Sequence, residues 1–573
     1  MILKGIAASE GIGIGTVRVV ITTPKEISTA APADTEQEVA RFNDALEGFC
    51  ADTETMAAEL EQAASEKEAG ILRGHIQLIR DPFVLQQITD EIRKGLNAES
   101  ATDRILNSVI EMFRATGDQL TMERATDIAD IRTRLIMHLQ GIEDVDLARV
   151  PAGTVIVTED LTPSMTVGIT KDSVAGIVTA SGGYTSHSAI LSRALEIPAV
   201  LSVQNLLDSV HDGDTVIVDG TEGSVILSPA DEEIEKYTKK AEEFQEMKLR
   251  LEAFRGKPSV TGDGELREIV ANIGTPADGV IAKDDDAEGV GLLRTEFLYM
   301  NRPSAPLEEE QYEAYKKVVQ TFGDKPVIIR TLDIGGDKEI PYLNLPKEDN
   351  PFLGYRAIRF CLNNHDLFQA QLRALLRASA YGNLRIMIPM ITRVEEVREV
   401  KKLRDRCVED LTREGKHFNP DTPIGIMVET PAACMMADRL AAEVDFFSIG
   451  TNDLTGYTMC ADRGNSQVAD LYTAYDPAVL RSIKRICSCA HNAGIPVGMC
   501  GEAASDPALI PVLLAFGLDE FSVSHEKVLS TRYNMSLWTR VEADHIARHA
   551  LARDSATNIK RYLKDKVKRR ISR

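Results

Sequence analysis

What the chain lacks narrows it first. No stretch approaches 18 unbroken apolar residues, so no membrane-spanning helix is expected. The opening Met1-Ile2-Leu3-Lys4-Gly5-Ile6 runs at once into glycine, serine and glutamate, so no signal peptide is expected either. Eight cysteines occur without regular spacing, and Cys487-Ser488-Cys489 is too tight for a usual zinc pair. Reduced thiols and a cytoplasmic setting follow as the expectation. Basic residues are the scarcer sign: 65 Lys and Arg against 88 Asp and Glu leave a net charge of −23. That balance disfavours nucleic acid and suits a basic protein partner, although plain solubility accounts for it as well. The locally basic tail, Lys560 to Arg573, reads as a solvated helix end. At 43% hydrophobic and 27% charged residues the composition is globular, and 573 residues suggest three or four domains.

Residues 1–22 alternate small and apolar groups around Gly11, Gly13 and Gly15, which predicts one or two strands. A lone Gly-x-Gly-x-Gly is a weak sign of a nucleotide loop, and no βαβ unit follows it. Thr35-Glu36-Gln37-Glu38 reads as a capping box. Behind it Val39, Phe42, Leu46, Phe49, Met56 and Leu60 fall at helical steps. Similar patterns recur to about residue 140, so 34–140 is expected to be a helical bundle. It interrupts an α/β domain made of 1–33 and 141–228, where short strands such as Thr154–Val157 and Val216–Val218 resume. Ser228-Pro229-Ala230-Asp231 reads as a helix start with proline at the first helical position. The stripe Ile234, Tyr237, Ala241, Phe244, Leu251 and Phe254 then runs to Gly256 and Pro258. A linker helix over 229–258 is expected, about 40 Å long at ~1.5 Å per residue, with a helix packed into a bundle as the alternative.

Over 259–573 eight apolar runs alternate with helical patterns: Glu268–Ile273, Gly289–Leu293, Val327–Arg330, Leu384–Pro389, Ile424–Val428, Asp445–Ile449, Pro496–Met499 and Glu520–Val523. That argues for a (β/α)8 barrel, with active groups at the C-terminal strand ends. Arg330 ends the third run, and just beyond the runs stand Arg294, Asp333, Glu429, Asn452, Asp453 and Cys500, with Arg463 ten residues past Asp453. Arginines offer forked donors to phosphate and carboxylate oxygens. Glu429 and Asp453 are hard oxygen ligands suited to Mg²⁺. Cys500 is a weak acid able to deliver a proton to carbon. A small phosphorylated carboxylate is the expected substrate. A phosphoryl acceptor is then needed, and Gly182-Gly183-Tyr184-Thr185-Ser186-His187 supplies one. An apolar run precedes it and a helical pattern follows, so His187 sits where backbone N–H groups and the helix dipole favour an anion. From this stretch alone, a histidine capping an ordinary helix reads equally well.

Taken together, the sequence resembles the Enzyme I family of the bacterial sugar phosphotransferase system over essentially its whole length. The resemblance lies in the His187 stretch, Leu161-Thr162-Pro163-Ser164, Arg294-Thr295-Glu296-Phe297-Leu298, and Arg330-Thr331-Leu332-Asp333-Ile334-Gly335-Gly336-Asp337-Lys338. Asn350-Pro351-Phe352-Leu353-Gly354-Tyr355-Arg356 and Asp445-Phe446-Phe447-Ser448-Ile449-Gly450-Thr451-Asn452-Asp453-Leu454 complete it. It implies that His187 takes a phosphoryl group from phosphoenolpyruvate on its tele nitrogen. The group then passes to the phosphocarrier HPr, the first step of carbohydrate uptake. It implies too that Arg294, Arg330 and Arg463 hold phosphoenolpyruvate with Arg356 close by. Asn452 and Asp453 belong to the substrate site, Glu429 and Asp453 hold Mg²⁺, and Cys500 protonates the enolate. By the same resemblance residues 34–140 dock HPr, and the barrel forms a homodimer. Thr166, Asp127 and Asp130 match positions near the family's histidine and carry no assigned role.

Tyr184 and Gly456 depart from the family pattern, which often has Arg and Gln there. A dikinase or phosphoenolpyruvate synthase would need an ATP-grasp domain that 1–230 leaves no room for. A relay protein without catalysis sits poorly with intact Arg294, Arg330, Glu429, Asp453 and Cys500. No N-terminal sensor domain is read, which favours the sugar branch over the nitrogen-related one. A swivelling histidine domain is expected, hinged around Gly256 and Pro258 and near Pro229.

Overall fold

The computed structural model describes residues 1–571 except 21–26, 29, 63–65, 115–118, 143–146, 148–149, 162–164, 166–168, 184–185, 301, 336–339, 344, 463 and 466. For several helical residues, His187 among them, only the backbone is described. The chain forms two compact units, Met1–Lys248 and Leu249–Arg573.

The first unit opens with three strands rather than one or two: β1 (Ile2–Lys4), β2 (Ile6–Ser9) and β3 (Ile12–Val20). Five helices follow: α1 (Thr35–Gln62), α2 (Glu66–Ile79), α3 (Pro82–Arg93), α4 (Ala98–Arg114) and α5 (Gln119–Leu139). Then come β4 (Thr154–Thr158), β5 (Val174–Thr179), α6 (His187–Ala194), β6 (Ala199–Leu201), α7 (Leu206–Ser209), β7 (Thr215–Asp219), β8 (Ser224–Leu227) and α8 (Asp231–Glu252). The strands make one sheet in the order β1-β8-β7-β3-β4-β5-β6-β2. Strand β3 pairs directly with β4, Thr16 opposite Thr154, so the helical insert leaves and returns at neighbouring strands. Alternation sends Ile156, Ile177 and Leu201 to one face and Val155, Val178 and Val200 to the other, each with its own core. Gly13 and Gly15 of the glycine-rich stretch lie inside β3. A Cβ on Gly13 would come within 1.9 Å of the Ala175 carbonyl oxygen, and one on Gly15 within 2.0 Å of that of Gly153. These glycines admit neighbouring backbone and cradle no phosphate.

The helices bury Phe42, Leu46, Phe49, Ile88, Ile92, Leu106, Ile131 and Leu135 among themselves. The expected Thr35–Glu38 capping box is not what starts α1. Asp34 caps it instead, its Oδ1 accepting from Glu36 N at 2.9 Å and Gln37 N at 3.2 Å. A charged acceptor at the positive end of the helix outcompetes a hydroxyl. Glu38 is spent elsewhere, on Arg41 and on Ala98 N at 2.7 Å.

Helix α8 likewise starts later than the Ser228-Pro229 reading. Ser228 holds a positive φ of 44° and donates its N–H to Thr215. The helix begins at Asp231, with Glu233 reaching back to Ala230 N at 3.1 Å. It ends at Glu252, so its 22 residues span roughly 33 Å and not 40. None of its side chains is fully buried. Lys240 reaches the buried Asp219 carboxylate at 2.7 Å, and Lys248 pairs with Glu196.

The expected hinge at Gly256 is tied down. Gly256 N donates to Asp286 at 2.7 Å and Ser259 N to Glu288 at 3.2 Å. The buried Arg532 holds the Phe254 carbonyl at 2.9 Å and the Ser259 hydroxyl at 3.0 Å while pairing with Asp286. Backbone donors this well matched to carboxylates do not leave a free joint.

The second unit is a closed barrel of parallel strands: β9 (Glu268–Ile273), β10 (Val290–Leu293), β11 (Val327–Arg330), β12 (Leu384–Ile388), β13 (Ile424–Val428), β14 (Phe447–Ile449), β15 (Val497–Met499) and β16 (Glu520–Ser524). Helices such as Glu308–Phe322, Val394–Arg413 and Pro477–Ala493 lie between them. The outward faces of the strands join one continuous core with these helices, whereas Leu292, Ile328, Met387, Met427, Phe446 and Cys500 pack together as a separate cluster. The fold class is therefore the one the sequence predicts: a multidomain α/β protein ending in a (β/α)8 barrel. Among the described residues no helix is long and apolar enough to cross a membrane.

Candidate active site

A cavity of about 630 Å³ opens at the C-terminal ends of the barrel strands. Arg294, Arg330, Arg356, Glu429, Asn452, Asp453 and Cys500 all line it, so the fold gathers residues spread over some two hundred positions. Arg463 lies outside the described residues; its neighbour Asp462 lines the cavity.

Arg330 ends β11 and is buried, its Nη2 on Glu296 at 2.9 Å and Nη1 on Asp333 at 3.1 Å. Arg356 grips both oxygens of Asp333 at 3.0 to 3.2 Å and extends Nη1 to Asp453 at 3.4 Å and to the Tyr457 hydroxyl at 3.2 Å. Asp333 thus bridges two guanidinium groups. Burial works against both cations, but the surrounding carboxylates outweigh it and keep them charged. Arg330 Nε has no hydrogen-bond partner among the described residues, and the Arg294 side chain is exposed. Behind the rim Gln371 accepts from Leu332 N at 3.0 Å and donates to Thr295 at 3.2 Å, locking the segments that carry Arg294 and Arg330.

Glu429 directly follows β13 and is 1% exposed, with one oxygen accepting from Met390 N at 2.6 Å. Burial first, then Asp453 and Asp333, push its carboxyl well above the usual range. Asp453 stands in the first turn of the helix Thr451–Met459. Among the described residues no cluster of three or more His, Cys, Asp or Glu forms a metal cage. Two carboxylates with excess negative charge between them still fit an ion that takes its remaining ligands from substrate and water. Cys500 is buried beside β15, and burial pushes its thiol up to about 11. It is therefore a protonated acid at neutral pH. Asn452 half-caps the next strand end, accepting from Glu502 N at 3.4 Å. Gly456 lines the cavity too, and a Cβ there would meet Ala461 at 3.4 Å and Tyr472 at 3.6 Å, close to ordinary contact.

His187 lies in the other unit as the first residue of α6. Ser186 caps the helix, its Oγ accepting from Ala189 N at 3.3 Å. The buried Ser188 donates to Asp160 at 2.6 Å and accepts from Leu161 N at 3.3 Å. Gly182 turns with a φ of 99°. Tyr184 and Thr166 fall outside the described residues. Asp127 and Asp130 flank the buried His75 of α2, at 3.6 and 3.8 Å.

Sequence reasoning placed Asp333 at the rim without giving it a role, and passed over Tyr457, Phe352 and Tyr472 as members of the site. Asp333 carried a signal, since an acid three residues past a strand-end arginine can reach it; the tyrosines come from a loop and a helix with no pattern marking them.

Three family models cover the chain: the N-terminal domain of PEP-utilising enzymes over 4–124, their mobile domain over 150–223 and their PEP-binding domain over 248–539. A phosphoenolpyruvate-protein phosphotransferase of Staphylococcus epidermidis is 45% identical over 96% of this chain and 96% of that protein. This chain belongs to that family, the phosphoenolpyruvate-protein phosphotransferases. Members so named from Staphylococcus carnosus (46% identical, 92% of this chain and 93% of that one) and a Bacillus species (45%, 98% and 97%) agree.

In this phosphotransferase the Asp333 bridge gives a first expectation. Asp333→Asn removes a carboxylate from two buried guanidinium groups, each of which keeps one other acid. Breaking buried pairs of this kind costs about 3 kcal/mol. Denaturant unfolding should show a loss of that order. An unchanged midpoint would mean Glu296 and Asp453 suffice alone.

Proposed function

We propose that the protein takes the phosphoryl group of phosphoenolpyruvate onto His187 and hands it to the phosphocarrier HPr, opening the sugar phosphotransferase system in the cytoplasm. One observation supports this reading above the others: the exposed Arg294 guanidinium and the Arg330 Nε, unpartnered among the described residues, share a cavity with a thiol held protonated, Cys500. The substrate class that needs both is an anionic phosphoenol whose leaving enolate takes up a proton at carbon.

In this scheme Arg294, Arg330 and Arg463 bind the phosphate and carboxylate oxygens, and Arg356 orients Asp453. Asn452 adds a neutral contact to the phosphate. Glu429 and Asp453 would hold Mg²⁺, which offsets phosphate charge when bound. The His187 tele nitrogen attacks phosphorus in line while the bond to the enol oxygen breaks. The enolate carbon then takes the Cys500 proton, and pyruvate leaves. The phosphohistidine passes its group to an HPr docked on residues 34–140. The barrel unit would form the homodimer.

Mixing the protein with phosphoenolpyruvate and Mg²⁺ should release pyruvate in step with acid-labile label on the chain. No release would end the proposal. The two-unit division adds a second expectation. The piece 1–248 should accept phosphoryl groups from phospho-HPr and none from phosphoenolpyruvate, whose arginine cavity lies wholly in Leu249–Arg573. Labelling of 1–248 by phosphoenolpyruvate alone would overturn that division.

A further inference from the structure

The barrel interior holds polar groups that the chemistry above leaves unused. Register sets Ser448, Gly498 and Glu520 in one row across β14, β15 and β16, and pairs Glu520 in turn with Glu268 of β9. Side chains two apart on a strand share a face, so this row faces the same way as Cys500. Cys500 packs there with Leu292, Ile328, Met387, Met427 and Phe446. Gly498 contributes no side chain, and Glu520 lies over it: a Cβ at Gly498 would come 2.6 Å from Glu520 Oε1. Glu520 is 6% exposed and Ser448 0%. Among the described residues neither Glu520 Oε1 nor Ser448 Oγ makes a hydrogen bond of normal geometry. The Ser448 hydroxyl is nevertheless close enough to Cys500 to favour its thiolate. Leaving two buried polar atoms unpaired is costly, and here Ser448 stands next to the Cys500 thiol while Glu520 stands over Gly498, two residues before it on the same strand face.

The geometry points to Glu520 as the group that reprotonates Cys500 after each turnover, with the Ser448 hydroxyl carrying the proton between them. This rests on the reading of Cys500 as the enolate's proton donor. After that donation a thiolate remains. The Ser448 proton moves to Sγ as the Glu520 proton moves to the Ser448 oxygen. The Glu520 carboxyl already reaches over Gly498 of the intervening β15, so one strand-to-strand step of ~4.8 Å remains to Ser448, which a bridging water spans. The Glu520 carboxylate regains its proton from solvent by way of Glu268, exposed at the start of β9. Burial, then Glu268, pushes Glu520 up to about 8; Asp519 adds to the rise and Arg385 of β12 opposes it. Glu520 is thus a carboxylic acid at neutral pH. Delivery to Cys500, at about 11, runs downhill.

The test uses the full chain with HPr as acceptor and the variant Glu520→Gln. The first phosphorylation of His187, followed by rapid quench, should match wild type, because Cys500 starts protonated. Steady-state pyruvate release should fall at least tenfold with KM for phosphoenolpyruvate unchanged. The wild-type rate should decline as pH rises through about 8, where Glu520 ionises, and the variant should lose that limb. Unchanged turnover and pH profile overturn the inference. So does an equal loss in first and later turnovers, which would make Glu520 a purely structural group. Ser448→Ala should reproduce the split and carries the test if Glu520→Gln does not fold. Cys500→Ala is run alongside: normal pyruvate release there defeats the donor reading, whereas its loss with a normal Glu520→Gln defeats the relay alone.

Discussion

His187→Ala should abolish covalent phosphorylation by phosphoenolpyruvate altogether. The imidazole is the proposed acceptor, and no alanine atom can replace an attacking nitrogen, so the expected loss is complete and not graded. The fold should survive. His187 opens α6, where the cap comes from Ser186 and the anchor from Ser188 on Asp160, and neither bond uses the imidazole. Alanine is also a better helix former than histidine, by a few tenths of a kcal/mol. The measurement is acid-labile, base-stable label incorporated from phosphoenolpyruvate, beside a thermal melt. Undiminished label on a folded variant would mean that another group is phosphorylated.

Glu429→Gln should separate activity from stability in opposite directions. The carboxylate is buried against Asp453 and Asp333, an arrangement that disfavours its charged form until a cation arrives. The amide keeps the size and can still accept from Met390 N. In the absence of metal the variant should therefore melt no lower than wild type. Its Mg²⁺-dependent turnover should fall by roughly 10²- to 10⁴-fold, the range expected when several kcal/mol of metal-assisted stabilisation is lost. Turnover with wild-type Mg²⁺ dependence would remove Glu429 from the ligand set.

The barrel was the most legible part of this fold. Its strands are buried on both faces and read as unbroken apolar runs, and charged residues follow them at once where the rim begins. Val327–Arg330 and Ile424–Val428 could be bounded to the residue for that reason. Helix starts were less legible, because several polar residues compete for one cap and only packing decides: Asp34 prevails over Thr35, and Ser228 is drawn into a bond with Thr215 instead. The glycines of β3 illustrate the same limit, since their partners, the Ala175 and Gly153 carbonyls, lie about 150 residues away in sequence. Within the cavity the arginines and carboxylates were each visible singly. That Asp333 serves Arg330 and Arg356 together was not, because pairing depends on side-chain direction at two rim loops.

Helix α8 is held at Lys240 and Lys248 within one unit, while the residues just past its end are held by Arg532 and Asp286 within the other. Between those anchors Arg250 donates to the Tyr533 hydroxyl at 3.5 Å and Glu252 pairs with Arg255 at 2.7 Å, so the last helical turn is held by the barrel unit as well. From there to Asp231 the helix is a lever of roughly 27 Å, at ~1.5 Å per residue, so a bend of about 20° sweeps its far end through ~9 Å. The same rod also sets azimuth. At ~100° per residue, two added residues would turn the histidine unit by about 200° around the helix axis, whereas seven would lengthen the arm by ~10 Å and turn it by only about 20°. Reach and aim are therefore coupled, and only length changes near whole heptads leave the aim intact.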